Sequence, residues 1–142
     1  MAKVIDMFLW LEENKQKKPF RRKKILIVDD ELGPRESIRM IVKGYGATAV
    51  TANDTCEALQ ILDAHSIDLI TTDLRRPDSD GIDFIKEIRG RGLSTPIIVI
   101  SAFYGPDENN INAATKLGVF DYITKPFNVA DIISSFKKAL AV

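Results

Sequence analysis

The run Ile25-Leu26-Ile27-Val28 stops abruptly at three acids, Asp29, Asp30 and Glu31. Like charges side by side repel, so the arrangement costs stability unless a cation, a basic partner or a particular chemistry uses it. Three further residues stand in comparable positions, each directly after or within another short apolar run: Asp73 in TTDLRRPDSDG, Ser101 in VISAF, and Lys125 in DYITKPF. Carboxylates gathered at one rim make an oxygen-donor site for a hard divalent cation, and Mg²⁺ characteristically takes one or two protein carboxylates while keeping waters and phosphate oxygens. With the cation on one side, the Lys125 ammonium and the Ser101 hydroxyl would hold oxygens of a transferring phosphoryl group on the other. Asp73 is then placed as the nucleophile, and its product is an aspartyl phosphate.

That chemistry requires the residues to meet, and the pattern of elements supplies the means. From Lys24 onward, β-branched runs alternate with segments of helical period: ILIV then PRESIRMIVK, ATAVTA then CEALQILDAH, DLITT then IDFIKEIRG, PIIVI then PDENNINAATKLG, VFDYIT then VADIISSFKKAL. Strands such as ILIV and PIIVI are continuously apolar, as expected when helices cover both faces of a parallel sheet. Five strand-helix pairs with right-handed crossovers predict an α/β doubly wound five-stranded parallel sheet, a (βα)5 flavodoxin-like fold of strand order 2-1-3-4-5. In such a sheet ligands bind beyond the carboxyl ends of the strands, which is where Asp29, Asp30, Asp73, Ser101 and Lys125 fall. Asp54 followed by Glu57 reads as a capping box opening the second helix, and Gly118 marks the end of the fourth.

Taken together and in order, these motifs resemble the receiver domain of bacterial two-component response regulators, a CheY-like family. The resemblance covers about residues 24–141 and rests on the acidic pair in ILIVDDE, the loop DLRRPDSDG with Pro77 and Gly81 four and eight residues after Asp73, the Ser of SAF, and DYITKPF. It implies that Asp73 accepts phosphate from a histidine kinase. It implies that Asp30 binds Mg²⁺ together with Asp73 and the backbone carbonyl of Arg75, Asp29 supporting the metal mostly through water. Ser101 and Lys125 would bind the phosphoryl oxygens, with Lys125-Pro126 a cis peptide. Tyr122 would be the switch aromatic, turning inward when Ser101 moves toward the phosphoryl group, and the face made by the fourth helix, fifth strand and fifth helix would present the result to a downstream protein partner. On this reading the chain is no enzyme beyond its own phosphorylation and autodephosphorylation.

Two alternatives belong to other classes. A pseudo-receiver would act only by binding proteins, against which stands the complete set of acids, Ser101 and Lys125. An aspartate-nucleophile phosphohydrolase of the haloacid-dehalogenase kind would need a second Asp two residues after Asp73, where Arg75 stands, and a cap insertion for its substrate. No P-loop or GxGxxG pattern supports a nucleotide enzyme. The pair Arg75-Arg76 departs from the apolar residue usual before Pro77 in the family; it either favours an anionic phosphodonor or lies in solvent. Phe103 either shields the acyl phosphate from water or, with Tyr104, contacts a partner or the core. His65 reads as a surface residue and Cys56 as structural.

At 142 residues and 45% apolar content, the chain suits one globular unit with a real core. Its zero formal net charge hides an asymmetry: residues 1–24 carry eight Lys/Arg and three Asp/Glu, and the remainder twelve and seventeen. Residues 1–23 read as an appendage before the receiver of residues 24–142, an amphipathic helix with Val4, Met7, Phe8 and Leu11 on one face followed by the basic linker KQKKPFRRKK. Self-association through that helix is the leading expectation, ahead of docking on another protein; neither membrane contact nor direct nucleic-acid binding is expected, the basic stretch being short and the body acidic. One cysteine permits no internal disulfide, and no run reaches the length of a membrane helix, so the expected location is cytoplasmic.

Overall fold

A computed structural model describes Leu9 and residues 18–76, 79–102 and 108–142, with backbone alone at residues 75, 76, 79, 80 and 108–110. The element order is β1 (Lys24–Val28), α1 (Leu32–Gly44), β2 (Thr48–Ala52), α2 (Thr55–Ala64), β3 (Leu69–Thr72), α3 (Gly81–Gly90), β4 (Ile97–Ala102), α4 (Glu108–Lys116), β5 (Asp121–Lys125) and α5 (Val129–Leu140). The five strands form one parallel sheet in the order β2-β1-β3-β4-β5, the expected 2-1-3-4-5.

The continuous apolar strands feed two cores. Ile25 and Ile27 of β1, with Ile98 and Ile100 of β4, pack on one side of the sheet against Ile38 and Val42 of α1 and Ile132, Ile133 and Phe136 of α5. Leu26 and Val28, with Ile97 and Val99, point the other way, onto Ala58 of α2, Phe84, Ile85 and Ile88 of α3 and Ala114 of α4. Successive strand residues face opposite sides of a sheet, so a strand covered on both faces needs no polar alternation. Each fully buried side chain of this size contributes about 1.5–3 kcal/mol.

Helix punctuation follows local chemistry. The Asp54 side chain accepts from Glu57 N at 2.8 Å, and Glu57 Oε2 reaches back to Asn53 N at 3.4 Å. Asn128 caps α5 in the same manner, accepting from Asp131 N at 2.8 Å. Gly118, just past α4, has φ +76°, a left-handed conformation that favours glycine.

The basic linker holds one residue that does not belong to a tether. Phe20 is fully buried, its ring 6.3 Å from those of both Tyr45 and Phe136, and its N–H donates to Tyr45 O at 2.9 Å. The core therefore begins at Phe20 rather than at Lys24. Seven charged residues around it in the linker mask one aromatic in the sequence. Val4, Met7, Phe8 and Leu11 of the amphipathic segment lie outside the described residues.

Candidate functional site

The strand order reverses at β1, and the rim at that point is where an open α/β sheet binds ligands. Val28 of β1 pairs with Thr72 of β3, so the next residues, Asp29 and Asp73, emerge side by side. Both are nearly sealed from solvent, at 2% and 5% exposure. Lys125, the last residue of β5, comes across the rim: its Nζ donates to Asp29 Oδ2 at 2.7 Å and to Asp73 Oδ2 at 2.7 Å. Ser101 of β4 donates its hydroxyl to Asp73 Oδ1 at 2.7 Å. Four strand ends expected from sequence to meet are brought together, Ser101 and Lys125 on Asp73 and Asp29 through Lys125.

The electrostatics answer the repulsion posed by the acids. Burial alone would lower the Lys125 pKa, but hydrogen bonds to Asp29 and Asp73, with the charges of both, more than offset it, and the ammonium is held above its ordinary value. The neighbouring peptide is cis at Lys125-Pro126. Asp29 is further fixed by its Oδ1, which accepts from Glu31 N at 3.0 Å. Asp30, half-exposed, has no hydrogen bond or ion pair among the described residues.

This donor set suits a hard cation: oxygen only, with no His or Cys nearby. No group of three acidic, His or Cys side chains within metal-holding reach occurs among the described residues, so the carboxylates do not make a closed cage. An incomplete protein shell of one or two carboxylates is what Mg²⁺ accepts, whereas Ca²⁺ takes six to eight oxygens.

The loop after Asp73 folds back in a way the residue pattern did not foretell. Arg75–Arg76 pairs antiparallel with Ser79–Asp80, and Gly81 N donates to Leu74 O at 3.1 Å. A Cβ on Gly81 would stand 2.5 Å from Leu74 Cα and 2.8 Å from the Asp73 carbonyl oxygen, so glycine is required there by contact, not by φ. Arg75 thus sits two residues past Asp73 with its backbone fixed in a ladder. Pro77, Phe103 and Tyr104 lie outside the described residues.

Tyr122 of β5 is half-buried against the α2/α3/α4 core, and its hydroxyl donates to Ile111 O on α4 at 2.9 Å. The Thr115 hydroxyl donates to the same oxygen at 2.8 Å. Two residues with no motif to announce them also emerge. Arg35 of α1 donates to Asp29 O at 2.9 Å, and Arg89 of α3 donates to Leu117 O, Leu93 O and Thr95 O at 2.8, 3.0 and 2.9 Å, tying the end of α4 to the turn before β4. Their only sequence signal is an arginine on a half-buried helix face. His65 is exposed at the end of α2, 3.4 Å from Lys24 Nζ at the opposite end of β1 from Asp29. Cys56 is exposed, so it fills no core position.

The family model for the response regulator receiver domain matches residues 25–137. Among curated proteins, the response regulator protein PilR of Pseudomonas aeruginosa is 37% identical over 76% of this chain and 24% of its own length. The transcriptional regulatory protein ZraR of Escherichia coli is 31% identical over 82% of this chain and 26% of its own. The chain thus spans about a quarter of the length of these relatives. Among solved structures, a response regulator receiver protein from Pseudomonas putida is 32% identical with a TM-score of 0.76, covering 82% of this chain and 97% of that one. The chemotaxis protein CheY4 of Vibrio cholerae is 26% identical with a TM-score of 0.76, covering 83% and 98%.

Proposed function

The chain belongs to the response regulator receiver family, and from that premise we propose that it is a phosphoacceptor switch in which Asp73 takes a phosphoryl group from a histidine kinase. The observation that carries the proposal is the convergence of Lys125 and Ser101 on the two oxygens of Asp73, each at 2.7 Å. In the transfer, a carboxylate oxygen of Asp73 forms the new bond to phosphorus while the bond from phosphorus to the donor imidazole nitrogen breaks. The electron pair leaves with the imidazole, which takes up a proton from solvent. Lys125 is within reach of the incoming phosphoryl oxygens and carries the charge to hold them; Ser101 donates to another. Little covalent work falls to other side chains, since phosphoryl transfer is catalysed mainly by positioning and charge stabilisation.

The residues that would hold Mg²⁺ are Asp30, Asp73 and the backbone carbonyl of Arg75, with Asp29 behind them. Bound there, the cation would neutralise the charge that gathers on the phosphoryl oxygens. The acyl phosphate adds about −1.5 to −2 charge where Ser101 and Lys125 now meet Asp73. Ser101 then follows the phosphoryl group and Tyr122 follows Ser101. The Tyr122 hydroxyl leaves Ile111 O on α4, and the α4-β5-α5 face offers a different surface to a protein partner. Turnover is confined to the chain's own phosphorylation and autodephosphorylation. A location in the cytoplasm, beside a kinase, suits this role; among the described residues no helix is long and apolar enough to cross a membrane.

Intact mass after incubation with Mg²⁺ and acetyl phosphate tests the proposal. The expected result is a gain of one phosphoryl group that disappears in Asp73→Asn and with EDTA. No gain, together with no effect of beryllofluoride on the Tyr122 environment, would leave a protein-binding module on a receiver fold.

A further inference from the structure

Asp29 is secured at every polar atom. Its N–H donates to Ala52 O at 3.1 Å, Oδ1 accepts from Glu31 N at 3.0 Å, Oδ2 accepts from Lys125 at 2.7 Å, and its carbonyl oxygen accepts from Arg35 Nη1 at 2.9 Å. Asp30, the next residue, has none of these supports among the described residues. The two acids share one peptide unit, and its oxygen is the atom that Arg35 holds. A peptide unit is planar, so fixing that oxygen fixes the direction in which the chain proceeds to the Asp30 Cα. The same Nη1 donates to Asn53 Oδ1 at 3.1 Å, in the turn between β2 and α2, so the guanidinium is itself oriented from a second element. Arg35 makes no ion pair with Asp29 or Asp30 among the described residues. Its effect on the acids runs through the backbone.

From this geometry we infer that Arg35 is a positioning residue of the phosphoryl-transfer site. Through the Asp29–Asp30 peptide, it sets the Asp30 backbone so that the Asp30 carboxylate is presented toward a divalent cation shared with Asp73. The inference rests on the phosphoacceptor reading above. It also draws on the planar guanidinium, whose Nη1 hydrogens point in fixed directions, one to the Asp29 carbonyl and one to Asn53, whereas an ammonium on a shorter, freely turning stem has no such fixed directions. A lysine keeps the charge and loses that orientation.

The test is Mg²⁺ binding followed by titration calorimetry on the full chain with no phosphodonor present, for wild type, Arg35→Lys, Arg35→Gln and Asn53→Ala. Residues that orient metal ligands typically account for 10- to 100-fold in affinity, so both Arg35 variants should bind Mg²⁺ about ten-fold or more weakly, and Asn53→Ala should fall between them and wild type. The rate of phosphorylation by acetyl phosphate at saturating Mg²⁺ should stay close to wild type, and the amide spectrum should change around Asp30 while melting holds. Unchanged Mg²⁺ affinity in Arg35→Lys overturns the inference, as does a defect confined to the saturated rate, which would mean that Arg35 acts on the phosphoryl group. Should an Arg35 variant fail to fold, Asn53→Ala decides alone: wild-type affinity there also overturns it. A wild type that neither binds Mg²⁺ nor gains a phosphoryl group sinks the parent reading; one that does both, with variants like it, sinks this inference only.

Discussion

The Lys125 ammonium donates to Asp73 Oδ2 at 2.7 Å while its side chain is only 10% exposed, so the cation facing Asp73 is carried by the chain itself. Asp29 shares the same ammonium at 2.7 Å. One lysine thereby offsets two buried carboxylates, an economical answer to like charges meeting at a strand switch point. On the proposed function, a phosphoryl group arriving on Asp73 would bring oxygens to an ammonium already in place, and the hydrogen bond would pass from carboxylate to phosphoryl oxygen with little movement.

Removing that ammonium should expose the repulsion. Lys125→Met leaves Asp29 and Asp73 facing each other without their shared ammonium, and losing one partner of a buried pair typically costs about 3–5 kcal/mol. Urea unfolding at neutral pH should show a loss of this order, and Lys125→Met combined with Asp73→Asn should recover part of it. Equal stability of Lys125→Met and wild type would mean that solvent screens the pair and that the short contacts contribute little.

The same contact sets an alkaline limit. Lys125 has a folded-state pKa above its ordinary 10.5, so its contribution to stability is fully present below 10.5 and is lost as pH rises through the higher folded value. Thermal midpoints should therefore show no step from Lys125 through the neutral range, followed by a decline in strongly alkaline solution that Asp29→Asn combined with Asp73→Asn lessens. A step from Lys125 near neutrality would show that the pKa is lowered and that burial outweighs its two partners.

Gly81 probes the loop beside the acceptor. Its missing Cβ makes room for Leu74 Cα and the Asp73 carbonyl, at 2.5 and 2.8 Å from where that atom would stand. Both neighbours are backbone and cannot rotate away, so Gly81→Ala forces a shift next to Asp73; overpacking of this kind costs about 1–3 kcal/mol. Phosphorylation by acetyl phosphate should slow in the same variant. An alanine variant that is as stable and as fast as wild type would mean that the loop yields freely.

Phe20 shows where sequence reading ran short. The five βα units, the strand order and the convergence of Asp29, Asp73, Ser101 and Lys125 were legible because apolar runs and strand-end residues state them directly. Phe20 was not, because a single aromatic among Lys18, Arg21, Arg22 and Lys23 carries no periodicity; its burial depends on Tyr45 and Phe136, far away in the chain. The Arg75–Arg76 ladder and the Arg35 bond to the Asp29 carbonyl were hidden for a related reason, their partners being backbone atoms that any residue could supply. Phe20→Ala should cost about 3–5 kcal/mol, the usual range for a buried phenylalanine, and leave Mg²⁺-dependent phosphorylation of the folded protein intact. Starting the chain at Lys24 should cost at least as much, whereas a truncation as stable as the whole would show the ring to be dispensable.

Tyr122 reaches α4 by one hydroxyl. Ile111 O accepts from Tyr122 at 2.9 Å and from Thr115 at 2.8 Å, so without the tyrosine the α4 carbonyl keeps one donor and is not orphaned. Tyr122→Phe should accordingly cost only about 0.5–1.5 kcal/mol, the net value of one hydrogen bond. Its effect should be local instead. Amides of α4 near Ile111 should exchange faster in the unphosphorylated protein, while those near Leu117, whose carbonyl Arg89 holds at 2.8 Å, should exchange as in wild type. Phosphorylation should then produce a smaller further change near Ile111 in Tyr122→Phe than in wild type, because the bond it releases is already gone. If exchange near Ile111 is unaltered by the substitution, the hydroxyl does not restrain α4, and the signal must leave the site by the ring's packing alone.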